Sequence, residues 1–399
     1  MGENAVDKLS ALYKVGFLSL GGFTTFLLAM KGTAIYSIAG AILVVSLVCC
    51  YYKTHDKLCL PGKNILVAWS FFAGGLIMSS LLQGELVNIM ESFHYVYLMA
   101  NFFVMYLGVR CFGKREALYK AITIAAIVNA AFCAISYFNP HAWSGGRFTP
   151  ITNPNVAVQF MVLPIPFMVA SLYMLRKYKA WLGLNLISMI IILVAAGFTR
   201  SRGGITGFIA GALAIGAMYW PLLKSKWSDK RKLFVCIISV GLASALVVSI
   251  TVHAFSRGHS DQERVYLLQS SVQMFLDQPL TGVGYENFTK VFPSYKQPKA
   301  SNPKLPTAHN DLFNLLATTG IFGAGGYVVF SLILWFYLLK RVIRQPREAM
   351  LWAMIWMFVS VYIHGLVDIS IQYNNSAKMF FGMLGMTLAI ADEHRYEEE

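Results

Sequence analysis

In this 399-residue chain the residue best suited to moving a proton is His309. It stands in Thr307-Ala308-His309-Asn310-Asp311, immediately before a long apolar run. Thr307 is a suitable helix N-cap, which predicts His309 in the first turn of the helix that follows. The positive end of the helix dipole disfavours imidazolium there, and a neutral imidazole accepts a proton from a hydroxyl. A capping or interface histidine is the plain alternative. His253, His259, His364 and His141 rank behind it. Arginines accompany the histidine. Arg147 sits in Gly145-Gly146-Arg147-Phe148-Thr149-Pro150-Ile151-Thr152-Asn153-Pro154-Asn155. Arg200 and Arg202 are squeezed into Thr199-Arg200-Ser201-Arg202-Gly203-Gly204 between two apolar runs, and Arg264 follows Ser260-Asp261-Gln262-Glu263. Edge arginines often only snorkel to headgroups. Here they fall where positive charge is disfavoured, which points to a cavity instead. Gly203 and Gly204 are read as allowing the backbone to approach a ligand closely.

Several arginines around one histidine, beside lipid, suit a phosphorylated lipid-linked substrate. The guanidinium is a planar fork matched to phosphate oxygens and keeps its charge at an apolar boundary. It also stabilises a diphosphate leaving group as charge develops. The sequence has no Asp-x-Asp pair, and the acids Glu85, Asp261, Glu263, Asp277, Glu286, Asp311 and Asp368 are dispersed. Divalent metals usually need carboxylates, so the expected chemistry uses no metal and no cofactor.

The elements that must position these residues are membrane spans. The chain is 57% hydrophobic and 13% charged, against about 25% charged in soluble domains. Its apolar residues come in blocks long enough to cross a bilayer as helices. Twelve spans are predicted, at roughly 15–30, 34–52, 65–82, 93–112, 120–138, 156–175, 180–198, 205–223, 233–252, 311–339, 349–366 and 376–391. The fold class is therefore an all-α polytopic membrane protein. Residues 1–252 carry spans one to nine, 253–310 form a large outer loop, and 311–399 carry spans ten to twelve with a tail. Span ten is long enough to tilt or project. The first apolar block is read as a retained signal anchor.

Alternating the loops puts 22 of the 33 basic residues on one side. That side is expected to be cytoplasmic and to hold both termini. The net charge of +14 is thus topological and does not imply nucleic acid. Cys49, Cys50, Cys59, Cys111, Cys133 and Cys236 avoid the large outer loop, and no disulfide framework is implied. Within that loop, Ser260 as N-cap and Glu263 at N3 fit a capping box. Val265, Leu268, Val272, Phe275 and Leu276 follow at helical spacing, and Pro279 ends the run. This amphipathic helix is expected to lie on the membrane or roof the bundle, with Arg264 in its first turn. The Pro- and Lys-bearing stretch 293–306 is read as mobile.

Four motifs together resemble the O-antigen ligase/polymerase superfamily, most specifically over about 145–325. They are Arg-Phe-x-Pro-x-x-Asn-Pro-Asn from Arg147, the Thr-Arg-Ser-Arg-Gly edge motif, the Glu-Arg helix leading to Pro-Leu-x-Gly-Val-Gly, and His-Asn-Asp with the later Thr-Gly-Ile-Phe-Gly. Length and the single large late loop are most similar to O-antigen ligases. The resemblance implies a periplasm-facing enzyme of the bacterial inner membrane. Such an enzyme moves O-antigen from undecaprenyl diphosphate to a sugar hydroxyl of lipid A–core, with inversion and without metal. It implies Arg202 and Arg264 as diphosphate binders, His309 as acceptor activator, and Arg147 and Arg200 as supporting cations. Arg200 departs from a single-Arg form of the edge motif, so either member of the pair could be the essential one.

Three alternatives are set apart by what they would act on. An O-antigen polymerase would extend a lipid-linked glycan, and a protein O-oligosaccharyltransferase would use a protein hydroxyl. A twelve-span transporter would need polar or broken helices at the midplane and often internal repeats. Here the polar motifs lie at one face and no repeat is evident.

Overall fold

The computed structural model describes residues 3–54, 59–224, 227–254, 258–302 and 304–397. Helices dominate. The first six are α1 (Glu3–Leu28), α2 (Thr33–Thr54), α3 (Lys63–Gln83), α4 (Leu86–Met99), α5 (Asn101–Phe112) and α6 (Arg115–Tyr137). A two-stranded hairpin follows, β1 (Trp143–Ser144) and β2 (Arg147–Phe148). Next come α7 (Pro154–Val162), α8 (Ile165–Met174), α9 (Lys179–Phe198), α10 (Arg202–Lys224) and α11 (Asp229–Ala254). The last are α12 (His259–Asp277), α13 (Phe288–Tyr295), α14 (Asp311–Arg344), α15 (Ala349–Gly365) and α16 (Asn374–Glu397).

Each expected span coincides with helix. Two are built from paired segments: α4–α5, interrupted at Ala100, and α7–α8, interrupted ahead of Ile165 by Pro164, which lacks the N–H a continuous helix needs. Among the described residues nine spans are long and apolar enough to cross a membrane, and α15 is a shorter apolar helix. The chain is a multi-pass membrane protein. Helix α16 is central: Met379, Phe380, Phe381, Met383 and Met386 are all fully buried, and it packs on α5 and α15. Helices α2, α9 and α11 are peripheral, with Val45, Val48, Ile187, Val194 and Leu242 exposed. In a bilayer those side chains meet lipid, so exposure costs nothing there.

The ends of the bundle differ. One end gathers the β1–β2 hairpin, the α9–α10 turn, α12, α13 and the α15–α16 loop. At the other, Arg115 pairs with Glu348 at 3.2 Å and Glu393 at 2.9 Å. Arg341 there pairs with Asp392, so the end of α16 lies with the basic loops.

The extra length of α14 has a physical cause. Gly320 has φ 58° and ψ −155°, and breaks the helix into an outer and an inner part. The turn after α12 docks into this break. Val283 N–H donates to the Ala317 carbonyl at 2.8 Å, and Ile321 N–H to the Pro279 carbonyl at 2.8 Å. A Cβ on Gly320 would lie 2.4 Å from Leu280 backbone, and one on Gly282 (φ 63°) 2.4 Å from Thr318 backbone. Both positions therefore require glycine.

In the outer loop the start of α12 and residues 293–295 differ from expectation. Helix α12 opens at His259 after Gly258 (φ 45°), so Gly258 and not Ser260 holds the N-cap position. Arg264 consequently lies beyond the first turn. The buried face of α12 is Leu267, Ser270, Ser271 and Met274, while Val265, Val272 and Leu276 are exposed. Leu267 and Met274 pack with Val283, Phe288, Phe292, Ala308 and Ala317 in a separate small core. The sequence stripe marked the face left toward the surroundings, because α13 and α14 cover the other one. Residues 293–295, read as part of a mobile stretch, close helix α13.

Candidate active site

The motif His309-Asn310-Asp311 divides three tasks among neighbouring residues. Asn310 is the N-cap of α14: its Oδ1 accepts from Phe313 N–H at 3.1 Å, and its Nδ2 donates to the Leu366 carbonyl at 3.0 Å. Asp311 is 2% exposed. It accepts from Ser370 N–H at 3.0 Å, Ile371 N–H at 3.2 Å and Gln372 Nε2 at 3.0 Å. This clamp fixes the α15–α16 loop against the head of α14. His309, one residue before the cap, is left outside the helix with φ 49°, a conformation non-glycine residues adopt only when their surroundings impose it. The expectation that Thr307 caps the helix and that His309 occupies the first turn is corrected accordingly.

The clamped loop sets Asp368 against the histidine. His309 Nδ1 lies 2.8 Å from Asp368 Oδ1. Burial raises the Asp368 pKa, but the His309 hydrogen bond, the fields of His309 and His364, and the Asn155 amide outweigh this and hold it at about 2. An ionised carboxylate only accepts hydrogen bonds. In the neutral ring the proton therefore belongs on Nδ1, and the lone pair on Nε2.

Asn155 extends the network. Its Nδ2 donates to Asp368 Oδ2 at 2.6 Å. Its Oδ1 accepts from Arg147 Nη2 at 3.1 Å and from Ser201 Oγ at 2.9 Å. Asn153 makes this possible by capping α7, accepting from Val156 N–H at 2.9 Å, so Asn155 projects from the first turn. Arg147 also donates from Nε to the Thr199 carbonyl at 2.9 Å. Its strand is held by Phe148, fully buried against Trp143 and Tyr137.

These groups wall a cavity of about 390 Å³. Arg147, Arg202, Arg264, His309, Asn155 and Asp368 all line it. Arg202 contributes from the start of α10 and is gripped by Asp261 at 2.6 and 3.3 Å through two nitrogens. Arg264 contributes from α12. Ser301, Asn302 and Leu305 close one side, and Glu263 ties that strap to α12 by accepting from Ser301 N–H at 2.9 Å. Four of the five expected site residues thus meet. Arg200 does not line the cavity; it is exposed, has φ 50°, and stands near Gly146 at the hairpin tip.

Gly203 and Gly204 serve packing. A Cβ on Gly203 would fall 2.5 Å from Val367 and 3.0 Å from His364, and one on Gly204 2.2 Å from Val158. They let α10 reach α7 and α15, which is how Arg202 arrives at the cavity. His364, 2% exposed, lines the same wall. Its Nε2 has no hydrogen-bond partner among the described residues. Sequence reasoning gave little weight to three members of this site. Asp368 was grouped with scattered acids, His364 ranked behind His309, and Asn155 was noted only as part of a motif. The available signal was their shared position at the outer ends of apolar spans. Among the described residues no group of three His, Cys, Asp or Glu has the arrangement of a metal site.

A bundle of apolar helices thus carries, at one end, an arginine-lined cavity with a histidine oriented by a carboxylate. Residues 187–328 match the family model described as O-antigen ligase, which supports the resemblance to the O-antigen ligase/polymerase superfamily. The matched segment contains Arg202, Arg264 and His309, while Arg147, Asn155, His364 and Asp368 lie outside it. Among curated proteins none shows a significant match.

Proposed function

We propose that this protein is an O-antigen ligase that transfers a saccharide from undecaprenyl diphosphate to a sugar hydroxyl of lipid A–core at the periplasmic face of the bacterial inner membrane. The observation that carries this reading is the meeting of three arginines and a carboxylate-oriented histidine in one cavity. Arg202 and Arg264 bind the diphosphate, with Arg147 behind them. Asp261 competes with the incoming phosphate for the Arg202 fork. The acceptor hydroxyl oxygen attacks the anomeric carbon from the side opposite the diphosphate, so the configuration inverts. The carbon–oxygen bond to phosphate breaks and its electron pair leaves on the phosphate oxygen. The acceptor proton passes to His309 Nε2, while Asp368 holds Nδ1–H and stabilises the imidazolium that forms. Arginine charge takes the place of a metal at the leaving group.

The acceptor separates this reading from polymerisation and from transfer to protein. Purified protein is supplied with lipid-linked O-antigen and, separately, with lipid A–core, lipid-linked glycan or a hydroxyl-bearing protein. Transfer to lipid A–core alone, unaffected by EDTA, is expected. Product only with lipid-linked glycan makes it a polymerase, and loss of activity on chelation with recovery on magnesium removes the metal-free mechanism.

A further inference from the structure

A second charged hollow lies at the opposite end of the bundle and takes no part in the transfer chemistry. It has a volume of about 660 Å³ and is lined by Arg115, Arg176, Lys177, Arg344, Arg347 and Glu348, with Tyr173 and Met174 on one flank. Glu348, the single acid in the lining, is buried and already engaged by Arg115 at 3.2 Å and by Met350 N–H at 3.2 Å. Arg115 is further held by Glu393 at 2.9 Å and the Ile390 carbonyl at 2.8 Å. Arg176 donates to the Tyr173 carbonyl at 2.9 Å and lies 4.5 Å over the Tyr173 ring. Among the described residues Lys177, Arg344 and Arg347 pair with no carboxylate.

Topology alone accounts for basic residues at this end, but not for three separate loops turning theirs into one hollow. Like charges held together without a counter-charge repel one another, and an anion relieves this. The hollow sits where α8 and α14 end and α6 and α15 begin, at the level where apolar helices leave the membrane. Tyr173 and Met174 are 54% and 36% exposed beside the cations, an apolar flank that a glycerol backbone and acyl chains fit and a soluble anion does not need. Basic pockets between spans at the cytoplasmic face bind acidic headgroups on the same physical grounds.

We infer that an acidic phospholipid with two phosphates, of the diphosphatidylglycerol type, binds in this hollow through Lys177, Arg344 and Arg347. The site has a structural consequence. The α7–α8 span carries Asn155 at its other end, α14 follows His309, and α15 carries His364 in its last turn, just before Asp368. A lipid bridging the basic ends of these spans braces the helices that hold the catalytic network.

The test is independent of transfer activity. Full-length protein is placed in phosphatidylcholine nanodiscs and titrated with diphosphatidylglycerol, with bound lipid counted by native mass spectrometry and unfolding temperature followed in parallel. Wild-type protein is expected to retain the lipid and melt higher with it. Arg344→Gln/Arg347→Gln should bind about 30-fold more weakly, from the usual contribution of each cation near an anionic headgroup. Arg344→Lys/Arg347→Lys, which keeps the charge, should retain most of the binding. Lys230→Gln/Arg231→Gln, two exposed cations elsewhere on the same end, should change nothing. Unchanged binding in the Arg344/Arg347 glutamine variant, or equal loss in the Lys230/Arg231 variant, overturns the site. Stabilisation by inorganic pyrophosphate or ATP with none from diphosphatidylglycerol overturns the lipid assignment.

Discussion

At the residue scale the site separates cations by what holds them. Arg202 is fixed by Asp261 through two nitrogens, a geometry that only a planar fork supports. Arg202→Lys keeps the charge and loses the fork, so ligation should fall by at least about tenfold with normal membrane insertion. Arg264→Ala should be as severe, and Arg200→Ala, which removes a side chain outside the cavity, should be mild. Near-normal ligation in both Arg202→Ala and Arg264→Ala would place the diphosphate elsewhere. Arg147, Arg202, Arg264 and His309 were legible because charged residues at the edges of apolar runs stand out. The pairing of His309 with Asp368 was not. They are 59 residues apart, and their meeting depends on Asp311 clamping residues 370–372 across α14 and the α15–α16 loop, a tertiary relation that periodicity does not carry.

At the element scale the break in α14 joins the outer loop to the site. Gly320 and Gly282 interlock α14 with the turn after α12, and the outer part of α14 then presents His309. Gly320→Ala puts a Cβ 2.4 Å from Leu280 backbone at a positive φ, so it should destabilise by about 2 kcal/mol or more and lower ligation as well. Gly325→Ala, in the same helix with nothing within 4 Å of its Cβ, should leave thermal unfolding in detergent nearly unchanged. Equal melting of the two variants would show that the interlock does not matter. Helix positions were readable from hydropathy alone, because lipid demands long apolar runs with internally satisfied backbones. The face of α12 that packs on the protein was not legible in the same way. Its buried face pairs Leu267 and Met274 with Ser270 and Ser271, and small polar residues in a helix contact do not register as an apolar stripe.

At the scale of the whole molecule, the two ends of the bundle differ in what they gather. The cavity with His309 is at one end and the basic loops are at the other, as the alternation of charge implied. Cysteine labelling in intact cells should place the loop around residues 227–231 in the cytoplasm and residues 296–302 in the periplasm. Labelling of 296–302 from the cytoplasm would put donor and acceptor on the wrong side for ligation. The most direct measurement is single-turnover transfer from lipid-linked O-antigen to lipid A–core by purified protein, with donor binding followed separately. An amide hydrogen-bonds but takes no proton at neutral pH, and a positioned base contributes about 100- to 10,000-fold. His309→Gln and His309→Asn should therefore bind donor as the wild type does and lose transfer by at least about 100-fold. Full transfer by either variant would contradict base catalysis by His309, and full transfer by His309→Ala as well would remove that residue from the active site.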